Sequence, residues 1–185
     1  MNLSDITALA TKPVAAVSAK PLAVFASVMN TPIKTRPIYL QTVVDALTGY
    51  TLEDAVAGKV VVITGASAGI GETTARRIGA AGGEVVLVAR TRENLERVAD
   101  DIRADGGTAH VYPCDLSDLD AIGAMADQVL ADLGHVDILI NNAGRSIRRS
   151  LELSHDRMHD YQRTMQLNYF APVQLILKFT PGMRE

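Results

Sequence analysis

The chain has 185 residues, 48% of them hydrophobic and 21% charged, with a net charge of −3 and a pI near 5.8. That is enough chain for one substantial core plus an appendage, and the charge gives no electrostatic reason to expect nucleic acid or a strongly anionic membrane as partner. The single cysteine, Cys114, excludes an internal disulfide, and no Cys/His grouping has zinc-site spacing, so a reducing, cytoplasmic setting without a metal site is expected.

Residues 1–57 differ in character from the rest of the chain. Pro13, Pro21, Pro32 and Pro37 fall there, with no further proline before Pro113, and strand-like runs are absent. Positions 1–44 carry Lys12, Lys20, Lys34 and Arg36 against Asp5 alone. A mostly helical, mildly basic extension is expected, packed on its own domain or on a partner subunit, with peripheral membrane contact as the alternative. The most apolar stretch, Pro21 to Ile33, is too short to span a bilayer and is broken by Pro21 and Pro32. Neither a signal peptide nor a transmembrane helix is read.

From Lys59, short β-branched runs alternate with longer segments of helical period, the pattern of βαβ units around a parallel sheet. Val60–Thr64 lacks polar alternation and reads as a strand buried on both faces. Ile70–Ala81 reads as a helix closed by Gly82-Gly83, Glu84–Ala89 as the second strand, and Arg92–Ala104 as a helix ended by Gly106-Gly107. Thr108–Pro113 is the third strand. A helix over Leu119–Leu133 comes next, with Ser117 and Asp118 offering N-cap oxygens. Val136–Ile140 is the fourth strand, and from about Ser154 to Met183 the chain is mostly helix with a break or kink at Pro172. Right-handed crossovers then give a Rossmann-type, doubly wound α/β sheet of order 3-2-1-4 over residues 58–185. A fifth strand, absent here, would cover the fourth in a complete domain.

The first strand runs into Thr64-Gly65-Ala66-Ser67-Ala68-Gly69-Ile70-Gly71. Glycines at 65, 69 and 71 allow a tight turn, bring backbone N–H groups to a pyrophosphate and pack the helix on the strand. Glu72 and Thr73 after Gly71 exclude a P-loop, which needs a lysine there. The T-G-x-x-x-G-I-G spacing resembles the short-chain dehydrogenase/reductase family, as do three further motifs in the same order. Asp115 after the third strand matches the aspartate that meets adenine, Asn141-Asn142-Ala143-Gly144 matches the N-N-A-G motif, and Asn168 matches the asparagine that helps hold a proton-relay water. The resemblance implies cofactor contacts from Thr64, Gly65, Ser67, Gly69, Ile70, Gly71, Arg90, Asp115, Leu116, Asn142, Ala143 and Gly144, and a catalytic role for Asn168. Taken singly, Asp115 could cap the following turn, Asn141 and Asn142 could be turn formers, and Asn168 could bond within a kinked helix.

The end of the second strand bears on cofactor choice. An NAD site places a carboxylate there for the ribose 2′-hydroxyl, whereas this chain has Ala89-Arg90-Thr91-Arg92. Arg90 can pair with a 2′-phosphate, with Ser67 or Thr91 as hydroxyl partners, so NADP(H) is expected; Arg92 reads as a solvated residue at the helix start.

The family's chemistry needs a tyrosine, a lysine four residues later and an upstream serine. Tyr39, Tyr50, Tyr112, Tyr161 and Tyr169 are followed at that distance by Val43, Asp54, Leu116, Met165 and Val173. The expectation is a fragment of a longer reductase with negligible hydride transfer and a marginal fold. The alternative is a natural truncated product that binds a nucleotide or partner without turnover.

The segment Gly106–Arg184 looks like bacterial fatty acyl-CoA reductases, which implies NADPH-dependent reduction of an acyl-CoA thioester to an aldehyde. Another carbonyl or alcohol substrate, such as a ketoacyl or sterol compound, is the rival reading. Arg145, Arg148 and Arg149 could meet CoA phosphates or form a solvated loop paired with Glu152 or Asp156. His155 and His159 read as surface histidines and Cys114 as a small buried residue near the adenine pocket. The long last helix commonly contributes to a subunit interface in this family, which implies a homo-oligomer.

Overall fold

A computed structural model describes residue 49 and residues 51–183. The extension expected over residues 1–57 therefore lies almost wholly outside the described residues. The compact unit begins at Leu52, in a short helix α1 (Leu52–Val56) whose Val56 is buried in the core.

Strand β1 (Val60–Thr64) is followed by α2 (Gly69–Ala80), β2 (Glu84–Ala89), α3 (Arg92–Ala104), β3 (Thr108–Pro113), α4 (Leu119–Leu133) and β4 (Ile138–Ile140). The sheet is parallel with order β3-β2-β1-β4, as the alternation of elements predicts. Val61 faces Val85 and Ile138 in register, so β1 sits centrally and every one of its residues is buried.

The two faces of the sheet have separate cores. Val61, Ile63, Val85 and Leu87 point to one side and pack with Ala75 and Ile78 of α2 and Leu95, Val98 and Ile102 of α3. Val60, Val62, Val86 and Val88 point to the other and pack with Ile122 and Val129 of α4 and Leu175 and Phe179 of the last helix. Side chains alternate along each strand, so unbroken Val/Ile runs supply both layers at once.

Glycines close the helices on the sheet's first face. Gly82 and Gly106 take φ of +79° and +85°, and the following N–H groups of Gly83 and Gly107 reach back to the carbonyls of Ile78 and Ile102 at 3.0 and 2.9 Å. At the start of α4 the cap is Asp118, whose carboxylate accepts from the N–H groups of Asp120 and Ala121. Ser117, the other expected cap, instead bonds Asp115.

The fourth strand and the last helix depart from expectation. Strand β4 is shorter than Val136–Ile140, because pairing at its start passes through a side chain: Val60 N donates to Asp137 Oδ2 at 2.7 Å while Asp137 N donates to Val60 O at 3.0 Å. The helical stretch after Ser154 is divided. A 3-10 turn (Leu151–Leu153) precedes α5 (Met158–Met165), a π-helical turn (Gln166–Phe170) interrupts it, and α6 (Ala171–Met183) follows. Pro172 accounts for the interruption: it has no N–H for the carbonyl of Asn168 four residues back, and the backbone widens until Ala171 N bonds Gln166 O, five residues back.

Candidate cofactor site

A cleft of about 750 Å³ opens at the carboxyl ends of β1, β2, β3 and β4. This is where parallel α/β sheets hold ligands, because the loops leaving adjacent strands diverge there. Of the residues expected from the sequence, Gly65, Ser67, Arg90, Asp115, Leu116, Ala143 and Gly144 line it. Asn94, Ser117, Arg145, Arg163 and Leu167 line it as well, and the motif reading singled out none of these for the cofactor.

Thr64, Asn142 and Gly71 stand behind this wall and hold it together. The buried Thr64 hydroxyl donates to Ile140 O at 3.4 Å and accepts from the N–H groups of Asn142 and Ala143, both at 3.0 Å. The Asn142 amide donates to Thr64 O at 3.0 Å and Gly65 O at 3.3 Å. The first motif is thereby tied to the N-N-A-G motif across β1 and β4. Gly71 lies so close that a Cβ there would stand 2.2 Å from Gly65 O and 2.6 Å from Asn142 Nδ2. Gly65 has φ of +68° and its own Cβ would meet Ala143 Cα at 3.0 Å. Both glycines are therefore demanded by backbone approach.

Gly69 and Ile70 open α2. Gly69 has φ of +59° with open space where a Cβ would stand, and Ile70 is 79% exposed. Among the described residues no side chain caps this helix, nor does any cap α3, whose N-cap Thr91 follows Arg90. The N-termini of α2 and α3 thus keep their first-turn donors without a side-chain acceptor at the loops that line the cleft, whereas α4 is closed by Asp118.

Asp115 serves both readings given for it. One carboxylate oxygen accepts from Ser117 N and Oγ at 2.9 and 2.8 Å, capping the turn, and the residue also lines the cleft. Those two Ser117 bonds, with Arg90 adding an attractive charge, hold its carboxyl below the usual range. Burial, aided by the Asp115 charge, pushes the Cys114 thiol up to about 11, so it stays protonated at neutral pH.

Asn168 lies in the π turn and does not line the cleft. Its amide pairs with the backbone of Arg145 in both directions: Oδ1 accepts from Arg145 N at 2.9 Å and Nδ2 donates to Arg145 O at 2.8 Å. The helix thereby fixes the loop that leaves Gly144. Farther along, Arg149 does not pair with Glu152 or Asp156. It reaches buried Asp160 at 2.9 Å, where Arg157 also bonds at 2.8 Å and Arg145 approaches to 3.9 Å. The Arg157 hydrogen bond above all holds the Asp160 carboxyl at about 2. Of the three loop arginines only Arg145 lines the cleft.

Residues 59–185 match the family model for short chain dehydrogenases. An uncharacterized oxidoreductase of Mycobacterium tuberculosis is 66% identical over 191 residues, covering 100% of this chain and 54% of the relative. A fatty acyl-CoA reductase of Acinetobacter baylyi is 58% identical over 128 residues, 69% of this chain and 43% of the relative. Among solved structures, a metagenomic short-chain oxidoreductase in complex with NADP superposes with a TM-score of 0.65 at 42% identity, covering 70% of this chain and 58% of that one. The sheet order, the glycine turn and these matches define a nucleotide-binding type of α/β fold. Within that class the chain belongs to the short-chain dehydrogenase family, and it spans about half the length of the curated relatives it matches.

Proposed function

We propose that the segment from about residue 58 is the NADP(H)-binding portion of a short-chain oxidoreductase that reduces a fatty acyl-CoA thioester to an aldehyde. The observation that carries the cofactor reading is Arg90: it follows β2 directly, lines the cleft and has no ion pair among the described residues. No carboxylate stands at the end of β2 to repel a 2′-phosphate. The two uncapped helix starts supply backbone donors for further phosphate oxygens, and the glycine turn lets them come close. Structural relatives bound to NADP or NADPH support the same choice.

In this reading Gly65, Ser67 and the start of α2 hold the pyrophosphate, Arg90 with Ser67 or Thr91 holds the 2′-phosphate, and Asp115 with Leu116 takes adenine. When bound, the cofactor supplies the hydride. Asn168 positions Arg145 through the amide pair, and its carbonyl, which Pro172 gives no α-helical donor, is the group that would hold a proton-relay water. The acyl-CoA assignment rests on the Acinetobacter baylyi relative and on a Mycobacterium tuberculosis fatty acyl-CoA reductase that is 53% identical over 128 residues.

Titration of the purified chain with NADPH and NADH tests the cofactor. NADPH should bind more tightly by roughly tenfold or more, and Arg90→Asp should reverse the order, since the new carboxylate repels the 2′-phosphate. An unchanged preference in the variant would remove Arg90 from the site.

A further inference from the structure

Arg163 has no part in the cofactor contacts proposed for the glycine turn, β2 and β3. It lies on α5 one helical turn before Leu167, and both residues line the cleft. Leu167 packs against the apolar cluster that contains Cys114 and Leu116. Arg163 therefore lines the cleft one helical turn from a residue of the apolar cluster that includes Leu116.

Its nearest acidic neighbour on the same helix is already engaged. Asp160 receives Arg157 and Arg149 at 2.8 and 2.9 Å, with Arg145 at 3.9 Å. Arg163 itself makes no ion pair or side-chain hydrogen bond among the described residues. Arg77, Arg90 and Arg148 are likewise without such partners, but of these only Arg90 shares the cleft with Arg163. Two arginines without an ion pair or side-chain hydrogen bond among the described residues thus line one cleft from different elements, the end of β2 and α5.

We propose that Arg163 is a nucleotide-binding residue whose guanidinium lies over the adenine ring, completing a pocket built from Asp115, Leu116, Ala143 and Leu167. This rests on the cleft being the dinucleotide site. Arg90 and the uncapped helix starts belong to the glycine-turn and β2 end, where the phosphates fall. The cleft is also lined by Leu116, Leu167 and Ala143, apolar residues of the cluster against which the helix bearing Arg163 packs, and these suit a flat aromatic base more than a phosphate. A guanidinium is planar and weakly hydrated, so it stacks on such a face without giving up much solvation. The same geometry gives Arg163 no reason to distinguish NADP(H) from NAD(H).

The test is a titration series on the 185-residue chain with adenosine 5′-monophosphate, adenosine 2′,5′-bisphosphate, NADH and NADPH. Arg163→Ala should raise the Kd of all four by a common factor of roughly five, and Arg163→Lys by less, while each variant melts at the wild-type temperature. Arg90→Ala should weaken only the two ligands that carry a 2′-phosphate. A loss in Arg163→Ala confined to those same two ligands would overturn the adenine assignment, as would four unchanged constants. If the wild-type chain binds none of the ligands, the dinucleotide reading fails and takes this one with it. If the wild type binds and Arg163→Ala binds equally, only the role of Arg163 fails.

Discussion

At Thr64 one hydroxyl serves three backbone groups, donating to Ile140 and accepting from Asn142 and Ala143. Replacement by valine keeps the shape but takes the acceptor from the half-buried Ala143 N–H and leaves the Asn142 N–H only Ile140 O. Thr64→Val should therefore lower stability by about 1–3 kcal/mol in urea unfolding, and Thr64→Ser by much less. Equal stability of Thr64→Val and wild type would mean that the hydroxyl does not hold the β4 loop. The motif reading took Thr64 and Asn142 as cofactor contacts, but their place behind the cleft wall depends on strand register, which no local pattern encodes. Arg163 was invisible for a related reason. A lone arginine on a polar helix looks like any solvated charge until the fold brings it into one cleft with Leu116 and Leu167.

Among the elements, α2 and α3 are joined by a charged network. Glu72 bonds Arg97 through both carboxylate oxygens at 2.9 Å and Arg76 at 2.8 Å, and Arg76 reaches on to Asp101. The Arg97 bonds, followed by those of Arg76, lower the Glu72 carboxyl from 4.5 to about 2. A depressed folded-state value stabilises the fold above the unfolded value and is lost as the pH falls. The difference in urea midpoint between wild type and Glu72→Gln should thus stay constant from about pH 7 to about 5 and shrink between 4.5 and about 2. A difference independent of pH would show that the network contributes nothing.

The π turn at the other side of the sheet gives a second prediction at this scale. Pro172→Ala restores an N–H four residues after Asn168 and should let an α-helix run through, withdrawing the Asn168 amide from Arg145. Hydrogen exchange at the Arg145 amide should then accelerate by about tenfold or more even though helical content rises. The bounds of β1, β2, α3, β3 and α4 were legible from apolar period and glycine punctuation. The start of β4 was not, because the Asp137 side chain stands in for a strand carbonyl. Nor was the division of the last helix, where proline marks a break without saying what shape replaces the lost bond.

For the whole molecule, a ligand that binds only the folded state raises its stability by an amount set by concentration over Kd, about 2.7 kcal/mol at roughly a hundredfold excess. For a compact unit of this size that corresponds to a rise of several degrees in Tm. NADPH should produce the shift, NADH at the same concentration a smaller one, and Arg90→Asp should reverse which of the two gives the larger shift. Among the described residues β4 pairs on one side only, with all three residues half-buried. No described helix is long and apolar enough to cross a membrane.

Capped and uncapped helix starts differ in what a bound ligand can do to them. The amides of residues 69–71 and 92–94 have no side-chain acceptor among the described residues, while those of Asp120 and Ala121 are held by Asp118. In an NMR spectrum of the free chain the first two groups are natural reporters and the third an internal reference. A ligand seated on the glycine turn should shift and protect residues 69–71 first, one that reaches past β2 should add residues 92–94, and Asp120 and Ala121 should stay still for both. The protein thus carries its own labels for locating what it binds, with no substitution needed to read them.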